Sequence, residues 1–235
     1  MRTVLITGAS RGLGVELVKI FVEKGWMTFA LVRQHSVASD LRDTWPRQCH
    51  PIVADVAADD CMEKVAQVVR KHTDQLDVLI NNAGVNGRTY TVDDVTPEEV
   101  IELLQVHCLG AIRCTKAVLP QLRAATNAKV VNISSRLGSM SKSAAGDFSG
   151  RRISYSYRIA KAAQNMFTLC LGQELAKQGI LVYAAHPGKL LTSMATEEAD
   201  TDASVAAARL ASWLEAADSR SVGHFISLEG GRLTW

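Results

Sequence analysis

Tyr157 and Lys161 are the residue pair whose types and spacing point most directly to chemistry. Four positions separate them, so in a helix they lie one turn apart on the same face and the ammonium can approach the phenol. Moving a tyrosine pKa from near 10 to about 7 requires roughly 4 kcal/mol of preferential stabilisation of the phenolate, which a cation in a dry site can supply. Tyr155 has Ile159 four residues on and lacks such a partner. The pair predicts proton transfer, although in isolation an amphipathic helix with incidental polar positions explains it more often.

A second chemical pattern is the glycine-rich stretch Gly8-Ala9-Ser10-Arg11-Gly12-Leu13-Gly14, which directly follows the apolar residues 4–7. Glycines there would let the backbone approach a pyrophosphate, while the N-terminus of the following helix supplies oriented N–H groups. No Gly-Lys-Ser/Thr follows, which excludes a Walker-type loop. Tight packing of a strand on a helix is the alternative explanation of these glycines.

Three further segments place polar residues or glycine where an apolar run ends. They are Asn81-Asn82-Ala83-Gly84, Ser134-Ser135 and Pro187-Gly188. Ligands of open α/β sheets bind at the carboxyl ends of the strands. We therefore expect these segments, the glycine-rich stretch and Tyr157 to converge on one crevice.

A parallel sheet would bring these segments together, and the rest of the sequence predicts one. Unalternating β-rich runs, typical of strands buried on both faces, occupy residues 4–7, 27–32, 52–54, 78–80, 130–133, 180–185 and 225–228. Helical periodicity predicts helices at residues 13–21, after Asp59, from Thr96, and over 155–178 and 203–217. Without a linker or repeat, residues 1–235 are predicted to form a single α/β domain, doubly wound, with a parallel sheet of about seven strands and helices on both faces.

Turn and cap residues mark several boundaries of these elements. Gly25 stands where the C-terminal cap of the first helix belongs. Thr96-Pro97-Glu98-Glu99 contains a capping Thr, a first-turn Pro and a reciprocating Glu in the right order. Pro51 cannot donate to a strand ladder, so the third strand is predicted to lie at a sheet edge.

In this order the motifs resemble those of the short-chain dehydrogenase/reductase family over essentially the whole chain. The matching positions are Thr7-Gly-Ala-Ser-Arg-Gly-Leu-Gly14, Asp55-Val56, Asn81-Asn-Ala-Gly84, Ser135, Tyr157-x-x-x-Lys161 and Pro187-Gly188 followed by Thr192. The long interval from Ser135 to Tyr157 and the short C-terminal end, residues 223–235, are similar to those of small carbonyl reductases of the C-factor and sniffer type. The resemblance implies a Rossmann-type fold and oxidoreductase activity.

The resemblance assigns catalytic roles to three of these residues. Tyr157 would be the general acid for carbonyl reduction, and Lys161 would lower its pKa and bind the nicotinamide ribose. Ser135 would donate a hydrogen bond to the substrate oxygen and polarise it.

A dinucleotide site is implied in the same way. Asp55 and Val56 would contact the adenine, and Thr192 the nicotinamide carboxamide. The full set of implied cofactor-binding residues is Gly8, Ser10, Arg11, Gly12, Leu13, Gly14, Arg33, Asp55, Val56, Asn82, Ala83, Gly84, Tyr157, Lys161, Pro187, Gly188, Leu190 and Thr192. For Asp55 a role in a turn or helix cap is an equally good explanation, and the two roles can coexist.

The end of the second predicted strand decides the choice of cofactor. It reads Ala30-Leu31-Val32-Arg33-Gln34, without the carboxylate that binds the ribose 2′-hydroxyl in NAD-specific folds. Arg33 and Arg11 resemble the two basic positions that hold the 2′-phosphate in NADP-preferring family members. We predict NADP(H) in preference to NAD(H), the alternative being two solvated surface arginines.

His107 is the one departure from the family pattern. The family usually has an Asn here, within Val-Asn-x-x-Gly, where it helps to hold a water of the proton relay; this chain reads Val106-His107-Cys108-Leu109-Gly110. A neutral imidazole offers one donor and one acceptor, so a relay could survive in altered form. Two interpretations stay open: a catalytic His107 that adds a titration near neutrality, and a satisfied core histidine.

Composition narrows the classes of partner. The 235 residues include 26 basic and 24 acidic side chains, a formal net charge of +2, which argues against a nucleic-acid partner. No apolar run approaches the roughly 18 residues of a membrane span, so no membrane partner is expected. The five cysteines show no Cys-x-x-Cys pair and no metal-ligand spacing, which favours reduced thiols, no metal site and a cytoplasmic location.

The sequence thus predicts an NADPH-dependent reductase that acts on a small-molecule carbonyl substrate. The alternative is an NADP(H)-binding regulatory or signalling protein with little or no turnover, which only His107 favours. Residues 137–156 are expected to border the substrate pocket, where Arg151 and Arg152 would attract an anionic substrate or, more simply, remain solvated. Relatives often pair their fourth and fifth helices, so the resemblance implies a homodimer or homotetramer.

Overall fold

The apolar runs form one continuous sheet in a computed structural model that describes residues 1–191, 199–217 and 224–235. Within these residues the strands are β1 (Thr3–Thr7), β2 (Met27–Val32), β3 (Cys49–Val53), β4 (Val78–Asn81), β5 (Lys129–Ile133), β6 (Leu181–His186), β7 (Phe225–Ser227) and β8 (Arg232–Leu233). Their order across the sheet is β3-β2-β1-β4-β5-β6-β7-β8. The first seven run parallel, and β8 pairs antiparallel with β7.

Helices connect the strands on both faces of the sheet. In the described residues the α-helices are α1 (Gly12–Glu23), α2 (His35–Thr44), α3 (Cys61–His72), α4 (Pro97–Leu104), α5 (Gly110–Ala124), α6 (Met140–Ala144), α7 (Tyr155–Leu175) and α8 (Ala203–Ala216). A π-helical turn, Gln105–Leu109, joins α4 to α5. None of the helices within the described ranges has the length and apolar character to cross a membrane.

Two hydrophobic clusters, one on each face, hold the helices to the sheet. Along β1, Val4 and Ile6 belong to one cluster and Leu5 to the other, because successive side chains of a strand point to opposite faces. The first cluster takes in buried residues of α1, α2 and α8, and the second those of α3, α5 and α7. Each fully buried large apolar side chain contributes about 1.5–3 kcal/mol, so the burial of both faces stabilises the parallel sheet.

The predicted fold class is confirmed, with several differences in detail. The sheet has eight strands because Arg232–Leu233 adds a short antiparallel edge strand, and α2 and α6 were not predicted. The third strand is Cys49–Val53 and lies at the other edge of the sheet, as Pro51 indicated. The predicted helix over 155–178 ends as an α-helix at Leu175 and continues as a 3-10 turn, Ala176–Gln178.

The predicted helix boundaries rest on the expected contacts, with one exception. Gly25 has φ +75° just after α1, in the left-handed region that suits a glycine cap. The Thr96 side chain accepts a hydrogen bond from the Glu99 N–H at the start of α4. The Glu99 carboxylate does not reciprocate, since it accepts hydrogen bonds from Arg88, Thr89 and Ser156 instead.

Candidate active site

The carboxyl ends of several strands open on a cleft of about 1330 Å³. In the sheet β1 lies between β2 and β4, so the chain order reverses beside β1, and a crevice at such a reversal is the usual ligand site of an open α/β sheet. Small-molecule pockets commonly enclose about 300–1,000 Å³. This cleft therefore has room for an extended ligand such as a dinucleotide together with a second small molecule.

Nearly all residues predicted from the sequence line this cleft. They are Gly8, Ser10, Arg11, Gly12, Leu13, Gly14, Arg33, Asp55, Val56, Asn82, Ala83, Gly84, His107, Ser135, Tyr157, Lys161, Pro187, Gly188 and Leu190. Thr192 lies outside the described residues. The predicted convergence on one crevice is confirmed, while the chemical role of each residue stays a prediction.

The glycine-rich stretch packs closely against the end of β4. A Cβ atom on Gly14 would overlap the Gly8 carbonyl oxygen, and one on Gly8 would lie 2.8 Å from the Ala83 Cα. Thr7 Oγ1 accepts hydrogen bonds from the N–H groups of Asn82 and Ala83, both at 2.9 Å. These glycines therefore do allow tight packing, which was the alternative to a role in cofactor binding. The same packing leaves the backbone of the glycine-rich stretch exposed to the cleft, where it forms a cradle.

The N-terminus of α1 supplies further backbone donors at this cradle. Arg11 precedes the helix and no side chain caps it, and no acidic residue lies in its first turn. Its first N–H groups and the helix dipole are therefore available to an anionic group.

The residues predicted for the adenosine end of a dinucleotide line the cleft. Asp55 Oδ1 accepts a hydrogen bond from the Ala57 N–H at 2.9 Å, so Asp55 has the turn role while it also lines the cleft. Arg11 and Arg33 are exposed on the cleft rim. Guanidinium groups in this position can bind a phosphate in the bidentate manner that lysine cannot.

Ser135, Tyr157 and Lys161 meet at the centre of the cleft. Ser135 follows β5, and its interaction with the Tyr157 phenol opposes the rise of the Tyr157 pKa described below. The Lys161 ammonium donates to the Ile133 carbonyl oxygen at 2.6 Å and to Gln164 Oε1 at 3.0 Å. Its nitrogen lies 5.8 Å from the centre of the Tyr157 ring.

Burial, rather than the lysine charge, dominates the acid–base properties of this pair. Burial raises the pKa of Tyr157 to about 12 against the opposing hydrogen bond with Ser135. Burial also lowers the pKa of Lys161 to about 7. The direction for Tyr157 is opposite to the predicted fall of its pKa, because the buried phenolate is poorly solvated. At neutral pH Tyr157 carries its proton.

His107 lies in the π-helical turn with its ring edge-on to Tyr157, the ring centres 5.4 Å apart. Its Nε2 is 2.9 Å from the Val85 carbonyl oxygen and 3.3 Å from the Val85 N–H nitrogen. The shorter contact assigns the proton to Nε2, which leaves Nδ1 as a buried acceptor without a partner among the described residues. His107 is thus only half satisfied as a core residue.

The charge state of His107 is set by its surroundings. Burial and the charge of Lys161 hold the pKa of His107 well below its usual 6.5, against the hydrogen bond with Val85. The predicted titration near neutrality is wrong, since a neutral ring is favoured there. A neutral His107 can still act as a relay group, because its ring keeps one donor and one acceptor.

Two further residues around Lys161 were not predicted from the sequence. Gln164 is 1% exposed and could have been found from its i+3 spacing to Lys161. His186, the last residue of β6, lines the cleft, and burial together with Arg136, Lys161 and Lys189 lowers its pKa to about 4. It is therefore neutral at pH 7, and its 3.8 Å contact with Glu229 is not an ion pair there.

The outer wall of the cleft is formed by the segment between β5 and α7 and by the segment after β4. Part of the first segment is ordered as the 3-10 turn Arg136–Gly138 and α6. The Arg152 guanidinium lies over the Tyr90 ring, 4.5 Å from its centre, and both residues line the cleft. Arg152 therefore bridges the two segments rather than projecting freely into solvent.

Comparison with known proteins identifies the class. Residues 2–203, which are most of the chain, match the model of the short chain dehydrogenase family. The chain belongs to the short-chain dehydrogenase family. The predicted family and the predicted fold are thereby confirmed.

Individual relatives resemble the chain over most or all of its length. The C-signal protein of Myxococcus xanthus is 30% identical over 163 residues, 69% of this chain and 95% of that protein. The carbonyl reductase Sniffer of D. melanogaster is 29% identical, with a TM-score of 0.89 over 100% of both chains. An NADPH-bound carbonyl reductase from chicken fatty liver is 26% identical, with a TM-score of 0.88 over 100% of this chain and 99% of that one.

Proposed function

We propose that this protein is an NADPH-dependent oxidoreductase that reduces the carbonyl group of a small organic substrate to an alcohol. The observation that carries the proposal is the meeting of Ser135, Tyr157 and Lys161 in the cleft that the glycine-rich stretch also lines. The carbonyl reductases with similar structures support the reaction class. Cofactor and substrate would share this cleft, without a separate substrate domain.

The protonation states favour reduction. Tyr157 is protonated at neutral pH because burial raises its pKa to about 12, so it can donate a proton to the oxygen of a carbonyl as negative charge develops there. Ser135, within hydrogen-bonding reach of the same phenol, would donate to that oxygen and polarise the carbonyl. Lys161, when charged, would stabilise the phenolate that remains after proton transfer.

The cradle fits a dinucleotide. Gly8 and Gly14 bring the backbone to the surface of the cleft, and the uncapped N-terminus of α1 suits a pyrophosphate. When bound, NADPH supplies the hydride. Asn82, whose side-chain amide donates to the Thr7 carbonyl oxygen at 2.9 Å, holds the strand end beside the cradle.

The preference for NADPH over NADH rests on Arg11 and Arg33 at the cleft rim. Both residues line the cleft. The end of β2 has no carboxylate, which NAD-specific folds use there to bind the ribose 2′-hydroxyl. The NADPH found in the similar chicken reductase supports the same choice.

A second candidate function is a regulatory or signalling protein that binds NADP(H) with little turnover. The similarity to a protein named C-signal favours it, as does His107 in place of the usual Asn. The intact set of Ser135, Tyr157 and Lys161 favours the enzyme.

Consumption of NADPH, followed by its absorbance with a panel of ketones, aldehydes and quinones, tests the proposal. We expect turnover with at least one carbonyl class and a fall of about 10³-fold in Tyr157→Phe, because the general acid is removed. Unchanged NADPH affinity in that variant would show that only the chemistry was lost. Tight NADPH binding without consumption by the wild type would favour the signalling alternative.

We also propose that the protein forms a homodimer and is cytoplasmic. Ile101 of α4 and Tyr155, Ile159 and Met166 of α7 are large apolar or aromatic side chains that are 44–56% exposed, and a homodimer formed through these helices would cover them. Light scattering of the wild type and of Ile159→Glu would test the homodimer, and we expect the variant to be a monomer.

The described cysteines are free, which suits a reducing compartment such as the cytoplasm.

A further inference from the structure

Glu99 is a buried carboxylate that the chemistry of the cleft does not use. It lies in the first turn of α4 and is 4% exposed, although glutamate is rarely buried without a partner. Its neighbour Glu98 is exposed. A buried anion costs stability unless donors surround it, so its contacts show what it holds.

Four donors from two other segments converge on the Glu99 carboxylate. Oε1 accepts from the Arg88 N–H at 2.5 Å, the Thr89 N–H at 3.4 Å and the Ser156 hydroxyl at 2.8 Å. Oε2 accepts from the Thr89 hydroxyl at 2.6 Å. The Arg88 guanidinium pairs with Glu102 instead, so the Glu99 charge is held by neutral donors.

These donors come from the segment after β4, which forms part of the outer wall of the cleft, and from the first turn of α7. Residues 85–87 and Tyr90, on either side of Arg88 and Thr89, line the cleft. Ser156 precedes Tyr157 at the start of α7. The two segments are also in direct contact, since a Cβ atom on Gly87 would clash with the Ser154 side chain.

The hydrogen bonds favour the ionised carboxylate. Burial alone would raise the pKa of Glu99, but hydrogen bonds from Thr89, the Arg88 backbone and Ser156 outweigh it and hold the pKa at about 2. All four contacts need an acceptor, which an ionised carboxylate provides at every lone pair.

We propose that Glu99 is a positioning residue that sets the substrate side of the cleft by tying residues 88–89 to the start of the helix that carries Tyr157. This inference rests on the proposed reductase function for its kinetic consequences. It assigns no contact between Glu99 and substrate or cofactor. The glycine-rich stretch shares none of these hydrogen bonds, so the effect should separate substrate from cofactor binding.

Three variants distinguish positioning from general packing. Glu99→Met keeps the length of the side chain and removes every acceptor. Glu99→Gln keeps one oxygen for the three Oε1 contacts, and its amide N–H can donate to the Thr89 hydroxyl, which can turn to accept. Glu98→Met makes the matched change one residue earlier, on the exposed face.

We expect Glu99→Met to raise the KM for the carbonyl substrate by about tenfold or more while the Kd for NADPH changes by less than about twofold. Glu99→Gln should stay within about threefold of the wild type in both, and Glu98→Met should match the wild type. The proposal would be overturned by any one of three results. These are an unchanged KM in Glu99→Met, equal increases in its KM and in its Kd for NADPH, and a Glu99→Gln variant as impaired as Glu99→Met.

A second measurement needs no turnover and so separates this inference from the proposed function. Hydrogen exchange of peptides that cover residues 85–91 and 154–158 should be about tenfold faster in Glu99→Met than in the wild type and unchanged in Glu98→Met. Equal exchange in Glu99→Met and the wild type overturns the inference even if the protein proves inactive.

If Glu99→Met does not fold, Thr89→Val and Ser156→Ala remove single contacts. Each is expected to raise the KM by about threefold and to speed exchange in its own segment at constant NADPH affinity. Variants that leave both KM and exchange unchanged overturn the proposal.

Discussion

The two sides of the cleft are built from different parts of the polypeptide. On the glycine side, residues 7–14 and 82–84, backbone atoms in close contact form the surface of the cleft. Gly14, for example, lies so close to the Gly8 carbonyl oxygen that no Cβ atom fits between them. On the tyrosine side, around Tyr157, buried polar side chains hold one another: Lys161 donates to Gln164, and Glu99 accepts from Ser156. Changes of volume should therefore disrupt the first side, whereas changes of charge or hydrogen bonding should disrupt the second.

Gly14→Ala should have the largest effect. The added methyl group would overlap the Gly8 carbonyl oxygen, so we expect a loss of about 3 kcal/mol of stability and a rise of about 100-fold or more in the Kd for NADPH. Urea denaturation and fluorescence titration would measure these. Gly25→Ala is the control: nothing lies within 4 Å of its Cβ, and only the strain of φ +75° applies, about 1–2 kcal/mol at unchanged NADPH affinity. Equal NADPH affinities in the two variants would contradict a backbone-built glycine side.

Lys161→Met should lose activity yet gain stability near neutral pH. The folded pKa of Lys161 is lowered from 10.5 to about 7, so between these values the unfolded chain binds more protons and wild-type stability rises with pH. At about 1.4 kcal/mol per pH unit, the wild type should gain about 2–3 kcal/mol relative to the variant from pH 7 to pH 9.

Urea denaturation of the Lys161→Met variant and the wild type at both pH values checks this prediction. Tyr157 does not interfere, because its raised pKa of about 12 affects stability only above the ordinary tyrosine value of 10. A constant difference between the two proteins would mean that burial does not perturb Lys161.

Arg33→Asp should reverse the cofactor preference. Loss of charge-assisted hydrogen bonds to a 2′-phosphate, worth about 1.5–3 kcal/mol, should lower the ratio of NADPH to NADH affinity by about 100-fold. Arg47→Asp, an exposed arginine outside the cleft lining, controls for net charge. Titration of the wild type and both variants with NADPH and with NADH measures this ratio. An Arg33→Asp variant that still prefers NADPH would refute the role of Arg33.

Substitutions of Gln164 should have the smallest effect, which is a change in the pH dependence of kcat/KM. If charged Lys161 is the active form, kcat/KM falls as pH rises through the Lys161 pKa of about 7. Gln164→Leu removes an acceptor of the ammonium, so the fall should move to lower pH with about a tenfold loss at pH 7, and Gln164→Glu should move it to higher pH. Identical pH profiles for both variants would exclude Gln164 from the control of Lys161.

The sequence predicted the glycine side of the cleft better than the tyrosine side. The reason is that the glycine side depends on local patterns, whereas the tyrosine side also depends on contacts between distant segments. Glycines, strand ends and the Tyr157 to Lys161 spacing are local patterns, and they identified the cleft residues correctly. Gln164 was within reach of the same spacing argument. Glu99 was assigned to a capping box from its local pattern, but its donors Arg88 and Ser156 are 11 and 57 residues away, and no local pattern shows them.

By itself the sequence determined the alternation of strands and helices, the edge position of the Pro51 strand and the residues that gather at the carboxyl ends of the strands. These depend on side-chain periodicity and backbone freedom, which neighbouring residues specify. Only the tertiary structure decided that Tyr157 is protonated, that His107 is neutral and that Glu99 faces the start of α7. Such properties depend on burial and on donors from distant segments, because removal from water sets the free energy of a charge and only the folded chain determines what replaces the water.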